Sequence, residues 1–181
     1  MVSILVKTFR NFIIYLLFFY SISLNILHEF EKDSEIVVEI QQQHEKEKQC
    51  IVEALWYEAR GEGREGMKAV LSVIKNRKDH PKYPSTWCGI VHQPKQFSYR
   101  NDTIPGKAIK IVYKQHEAQD LKVATSLAEK AVYGAFKPIL GPSVIYYHTK
   151  KVKPVWSKKL EKAATIGNHV FFNERKNNVK I

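Results

Sequence analysis

The sequence predicts an α+β fold in which helix dominates. Apolar residues recur at spacings of three and four over 51–60, 65–78 and 120–133, the period of a helix with one buried face. Two runs nearer the C-terminus, Val144-Ile145-Tyr146-Tyr147-His148 and His169-Val170-Phe171-Phe172, are β-branched and aromatic and predict a short antiparallel sheet. With 181 residues, 44% of them apolar, the chain suffices for one compact domain plus extensions.

The N-terminus stands outside that domain. Lys7 and Arg10 precede the apolar run Phe12 to Tyr20, which continues, diluted by Ser21, Ser23 and Asn25, to Leu27. A basic end that stays inside, ahead of an apolar segment that enters the bilayer, is what export requires. No small-x-small cleavage site follows, so residues 1–27 are expected to be a signal anchor, or a signal peptide if cut, with membrane contact through residues 12–27. The remainder would face the periplasm from the inner membrane, or be periplasmic or extracellular once released. Residues 28–49 are polar, charged and free of Gly and Pro, and read as a solvated helical or disordered spacer.

From Cys50 onward there are 24 Lys and Arg against 11 Asp and Glu, a formal charge of +13 that calls for an anionic partner. Nucleic acid, acidic lipid and the bacterial envelope all qualify on charge. Lys150, Lys151, Lys153, Lys158, Lys159 and Lys162 come without zinc-finger spacing or an RNA-binding aromatic signature, so nucleic acid is not an expected partner. Cys50 and Cys88 would be free thiols in the cytosol; behind an export signal they can pair. A bridge would pin the helix that Cys50 opens to the Trp87-Cys88-Gly89 segment. Neither cysteine has a second ligand at metal spacing, and no nucleotide-binding glycine loop is present, so no metal or cofactor is expected.

The chemistry is expected in Trp56-Tyr57-Glu58-Ala59-Arg60-Gly61-Glu62-Gly63. On a helix over 51–60, Ile51, Ala54, Leu55 and Glu58 share a face, while Glu53, Tyr57 and Arg60 point away. A carboxylate in the middle of an apolar stripe is partly desolvated, which raises its pKa toward the range of a general acid. The competing reading pairs Glu58 with Arg77 as a structural tie between two helices. A second helix over Glu65–Lys78 would bury Met67, Val70, Leu71 and Ile74, with Pro81 and Pro84 beyond its end. The hairpin around Gly61 and Gly63 would leave Glu58 near a turn.

Residues 79–106 are rich in Pro, Gly, Ser and Asn and read as loops. Within them, Gln96, Phe97 and Ser98 are residue types that line sugar sites, amides bonding hydroxyls and rings stacking on the sugar. A helix from Asp120, as N-cap, to Tyr133 would bury Leu121, Ala124, Ala128, Ala131 and Val132. Trp156 and a short helix are expected between the two strands.

Cys50 through Glu62, Gly66-Met67-Lys68-Ala69-Val70, Ile74-Lys75-Asn76-Arg77, Tyr83 to Cys88, Gln93-Pro94-Lys95-Gln96-Phe97-Ser98, Tyr146-Tyr147-His148, Pro154-Val155-Trp156 and Ile166 to Phe172 form an ordered set. The set resembles the SleB-like cell wall hydrolases, the spore cortex-lytic family with relatives in Gram-negative bacteria and phages. The resemblance covers residues 50–173. It implies a lysozyme-like catalytic domain over 50–175, with 176–181 a basic tail, and peptidoglycan as substrate.

The same resemblance implies cleavage between N-acetylmuramic acid and N-acetylglucosamine by a lytic transglycosylase with Glu58 as its single acid and base. Arg60 and Glu62 would support it, and Gln96, Phe97, Ser98, Tyr147 and His148 would contact sugar. Ser143-Val144-Ile145 ahead of Tyr146, and Lys68 where many relatives carry Gln, depart from the pattern and bear on subsite preference. An inverting hydrolase would need a second carboxylate about 6.5–9.5 Å away, for which Glu62 and Asp102 are candidates. A non-catalytic, membrane-anchored wall-binding module is the other alternative. An amidase or endopeptidase would call for zinc or a Cys/His pair, and the histidines lack His-Glu-x-x-His spacing.

Overall fold

A computed structural model describes residues 2–101 and 109–175, without the side chains of residues 2–14, 17 and 26. The chain divides into two units, residues 1–43 and 44–181. Helix α1, Val2–Ala59, supplies the first unit and opens the second. Cys50 therefore lies inside a helix and does not open one, and the expected spacer is helical.

The signal anchor is not supported as a span. Among the described residues no helix is long and apolar enough to cross a membrane. Ser21, Ser23 and Asn25 dilute the run, and Glu29, Glu31 and Lys32 follow it closely. Its basic end and Phe12 to Ile14 fall on side chains outside the described ones, and the basic tail 176–181 falls outside the described residues altogether.

The second unit is built around α2, Gly63–Lys78. Met67, Val70, Leu71 and Ile74 are fully buried, as the periodicity predicts, but so are Ala69, Ser72 and Val73. A helix covered on all sides is central rather than amphipathic, and α2 packs against α3 (Trp87–Val91), α4 (Ala118–Val132) and the sheet. The chain enters α2 from α1 through Gly61 (φ +82°) and Gly63 (φ +66°), left-handed conformations that glycine adopts without a Cβ penalty.

The sheet has three strands, one more than the sequence predicts. Strands β1 (Val144–Thr149), β2 (Lys162–Ile166) and β3 (His169–Asn173) are antiparallel in the order β1-β3-β2. Trp156 sits between β1 and β2 in a short 3-10 turn, Val155–Lys159. Polar side chains of α2 fix where β1 begins: Ser72 Oγ accepts from Ile139 N at 3.0 Å, and Asn76 Nδ2 donates to the carbonyls of Gly141 at 2.7 Å and Val144 at 2.9 Å. Arg77 Nε donates to Ile145 O at 2.7 Å. These buried bonds position β1 two residues ahead of Tyr147.

Two further ties hold α1. A disulfide joins Cys50 to Cys88, with Cα atoms 5.2 Å apart. Beside it, buried Glu47 accepts from the N–H groups of Trp87 (2.6 Å) and Cys88 (3.2 Å) through Oε2, satisfying donors at the start of α3. Asp120 lies in the first turn of α4 rather than at its N-cap, which is Glu117, and its Oδ2 accepts from Gly61 N at 3.0 Å.

Candidate active site

Glu58 stands in the last turn of α1, one residue before the helix ends at Ala59. Ile51, Ala54 and Leu55 below it are fully buried, and Glu58 itself is half-buried. Its Oε2 accepts a hydrogen bond from the Tyr147 hydroxyl at 3.0 Å. Burial raises the Glu58 pKa above the usual carboxylate range; the Tyr147 bond and the charge of Arg77 oppose the rise without cancelling it. Arg77 thus contributes a field at Glu58, while its Nε is committed to Ile145 O and its guanidinium lies 5.9 Å from the Tyr83 ring. The structural-tie reading of this pair is not what the geometry favours.

A second tyrosine completes the surroundings. Tyr99 stacks on Tyr57 with ring centroids 4.6 Å apart, and the Glu58 charge contributes to raising its pKa, after burial and Glu53. The Tyr147 pKa is likewise pushed well up, by burial first and then by Glu58. Both hydroxyls therefore stay protonated and can donate.

Glu53 was expected to face away, and it does not. Its carboxylate is buried and ion-paired to Arg100, and it also accepts from Tyr99 OH at 3.2 Å and from Ile109 N at 3.2 Å. The 3-10 turn Ser98–Arg100 bends back over α1, so a position that is outward on an isolated helix becomes covered. Tyr57, also expected outside, is half-buried under Tyr99.

Glu62 is engaged through both of its oxygens by Asn168. Its Oε2 accepts from Asn168 N at 2.7 Å and its Oε1 from Asn168 Nδ2 at 2.8 Å. Burial alone would raise its pKa, but these bonds and the charges of His169 and Lys150 outweigh it, and the net shift is downward. It occupies the N-cap position of α2 without making a side-chain cap. Instead it fills a notch between Gly66 and Gly167, where a Cβ on either glycine would collide with its side chain. Arg60 turns toward Trp56, 5.3 Å from the ring centroid, and toward Glu117 at 3.9 Å. Asp102 lies outside the described residues.

The expected sugar contacts separate. Phe97 is 2% exposed and belongs to the core, so its ring is not presented to a ligand. Gln96 is half-buried and Ser98 exposed on the same loop. Tyr147 and His148 lie on opposite faces of the sheet, because successive strand residues alternate. Tyr147 packs toward His169 and Phe171, and His148 stacks on Phe172. No group of three or more His, Cys, Asp or Glu with metal-binding geometry occurs among the described residues.

Glu58 is thus a half-buried carboxyl group with a raised pKa, bonded to one tyrosine and within the field of a second. Residues 61–172 match the family described as Cell Wall Hydrolase. The chain belongs to that family. The fold is that of the catalytic domain of the Bacillus cereus SleB protein, at 22% identity and a TM-score of 0.55 over 71% of this chain and 91% of that one. The catalytic domain of the germination-specific lytic transglycosylase SleB from Bacillus anthracis is similar to the same degree, over 71% of this chain and 94% of that one. No curated protein matches the chain. As a cell wall hydrolase the chain is an enzyme of peptidoglycan, acting where the wall is, in the periplasm or outside the cell.

Proposed function

We propose that this hydrolase cleaves the glycan strand between N-acetylmuramic acid and N-acetylglucosamine as a lytic transglycosylase, with Glu58 as acid and then base. The observation that carries the reading is the raised pKa of a half-buried Glu58 bonded to Tyr147. The family match begins at Gly61, so the role of Glu58 rests on this geometry and on its place in the Glu-Ala-Arg-Gly-Glu motif.

In the reaction, the Glu58 carboxyl gives its proton to the bridging oxygen as the muramic C1–O bond breaks. An oxocarbenium-like centre forms at C1. The Glu58 carboxylate then removes the proton of the C6 hydroxyl as O6 bonds to C1, closing a 1,6-anhydro ring and restoring the acid. No water is consumed. Tyr147 holds the carboxylate between the two steps, and Arg77 stabilises its anionic form. The commitment of Glu62 to Asn168 supports a single-carboxylate route over an inverting hydrolase. The similar Bacillus anthracis domain bears the name lytic transglycosylase, which favours the same outcome.

The Cys50–Cys88 disulfide fits an oxidising compartment, and the basic-then-apolar N-terminus fits export. The test is mass spectrometry of fragments released from purified peptidoglycan by the full chain. Anhydro-muramic ends are expected; reducing muramic ends would make the enzyme a hydrolase, and no release would overturn the reading.

A further inference from the structure

The face of the sheet opposite Tyr147 carries a second cluster that the reaction does not use. Tyr146 and His148 lie there with Phe172 and Trp156, whose ring centroid is 5.7 Å from Tyr146, 5.6 Å from His148 and 5.6 Å from Phe172. Three neighbours hold the indole in place, yet Trp156 remains 38% exposed. Beside it opens a depression of about 220 Å³ lined by Tyr146, Trp156, Lys159, Leu160 and Arg175. A fixed aromatic with an open face and two cations at its rim differs from a solvated basic surface, where long side chains point at water without a platform.

The charges of that rim are available. Neither Lys159 nor Arg175 has an ion pair among the described residues. The nearby carboxylates are engaged elsewhere: Glu174 with Lys82 at 2.8 Å and His80 at 3.0 Å, and Glu161 with Asn173 Nδ2 at 3.3 Å. A ligand for the site must therefore offer a flat apolar face and an anion. The C–H face of a pyranose packs on an indole, and a carboxylate suits an ammonium and a guanidinium, the latter as a bidentate acceptor.

We propose that this depression is a second glycan-binding site, which takes a carboxylate-bearing saccharide with its ring on Trp156 and its carboxylate on Lys159 and Arg175. The identity of that saccharide rests on the peptidoglycan reading above. Peptidoglycan carries such carboxylates on its stem peptides and, on muramic sugars that bear no peptide, on the lactyl group, whose carboxyl is otherwise tied up as the amide to the peptide. A site on the far face of the sheet holds the insoluble strand at one place while Glu58 works at another, and the two contacts reinforce each other through effective concentration.

The experiment is co-sedimentation of the full chain carrying Glu58→Gln, so that the polymer is not cut, with purified peptidoglycan and with chitin, a β-linked N-acetylglucosamine polymer without carboxylates. Adding Trp156→Ala or Lys159→Glu should weaken peptidoglycan binding by roughly five- to tenfold, with tenfold equal to about 1.4 kcal/mol. Chitin should bind more weakly and respond to Trp156→Ala but not to Lys159→Glu. Thermal unfolding checks that each variant is folded, and Lys159 is exposed, so its reversal leaves the core intact. Removing the stem peptides at their amide to the lactyl group frees the lactyl carboxylates and takes away the peptide ones: sensitivity to Lys159→Glu that persists or grows assigns the lactyl group, and lost sensitivity assigns the peptide. Parent-like binding by both variants overturns the site, and so does chitin binding as tight as that of peptidoglycan. Fragment release by the unsubstituted chain is scored separately. An inert chain whose binding still depends on Trp156 and Lys159 sinks the cleavage reading and leaves the site standing.

Discussion

The Tyr147 hydroxyl donates to Glu58 Oε2 across 3.0 Å, joining strand β1 to the last turn of α1 over 89 positions of sequence. This bond stabilises the carboxylate and so pulls the Glu58 pKa down against burial. Tyr147→Phe removes the donor, and the pKa of Glu58 then rises further. Since the first step of the proposed reaction needs the protonated acid, the basic limb of the pH–rate profile should move to higher pH. The maximal rate should fall by about tenfold, because the carboxylate that must act as base is less well held. An unshifted profile would separate Tyr147 from the acid.

Glu58→Gln keeps shape and an acceptor for Tyr147 but cannot transfer a proton. Release of fragments should fall by about 10²–10⁴-fold, the usual contribution of a general acid. Stability responds in the opposite sense. A raised carboxylate pKa means that the folded state keeps a proton that the unfolded chain has lost, in the window between the unfolded value and the folded one. Folding stability therefore declines as pH rises through that window. Denaturant titrations across that range should show a shallower decline in the Gln variant than in the parent.

The elements that the sequence conceals are those fixed by tertiary contact. Helix α2 is legible because Met67, Val70, Leu71 and Ile74 keep a helical period, and Glu58 because it interrupts an apolar stripe. Strand β2 is not, since Lys162-Ala163-Ala164-Thr165-Ile166 is an edge strand with mostly exposed residues and weak strand formers at its start. Glu53 lies on the outward face of an isolated helix and is buried only because the Ser98–Arg100 turn covers it. The opposition of Tyr147 and His148 was within reach of strand alternation alone. The Tyr147 bond to Glu58 was not, because nothing local links positions 89 residues apart.

Joining Cys50 to Cys88 closes a loop with a sequence separation of 38, restricting the unfolded chain. Cys50→Ala with Cys88→Ala, or reduction of the parent, should lower stability by about 2–4 kcal/mol. Equilibrium unfolding with and without reductant measures this. The double variant should be insensitive to reductant, while Glu47 still caps α3 and retains part of the docking.

The Glu53–Arg100 pair is buried on both sides, at 5% and 6% side-chain exposure. Arg100→Met leaves a buried carboxylate without its countercharge and should cost about 3–5 kcal/mol. Glu53→Leu combined with Arg100→Met should recover much of that loss, since no charge is left buried. Activity should not recover with it: Tyr99 OH has lost its acceptor, and the ring beside Glu58 is then less firmly placed. Recovery of both would make the ion pair purely structural.

Glu62 and Gly167 occupy the same notch, and their substitutions should be coupled. Gly167→Ala places a Cβ against Glu62 Oε2 and imposes a side chain at φ +55°, so it should destabilise by about 1–3 kcal/mol. In a Glu62→Ala background the collision is gone and only the backbone strain remains, so the second loss should be smaller; a double-mutant cycle measures the difference. Activity distinguishes the role of the carboxylate. Glu62→Gln keeps one acceptor for Asn168, and release should fall less than about tenfold if Glu62 positions the β2–β3 turn. A loss matching that of Glu58→Gln, in a variant with unchanged thermal unfolding, would instead mark Glu62 as a second catalytic carboxylate and turn the reaction into hydrolysis.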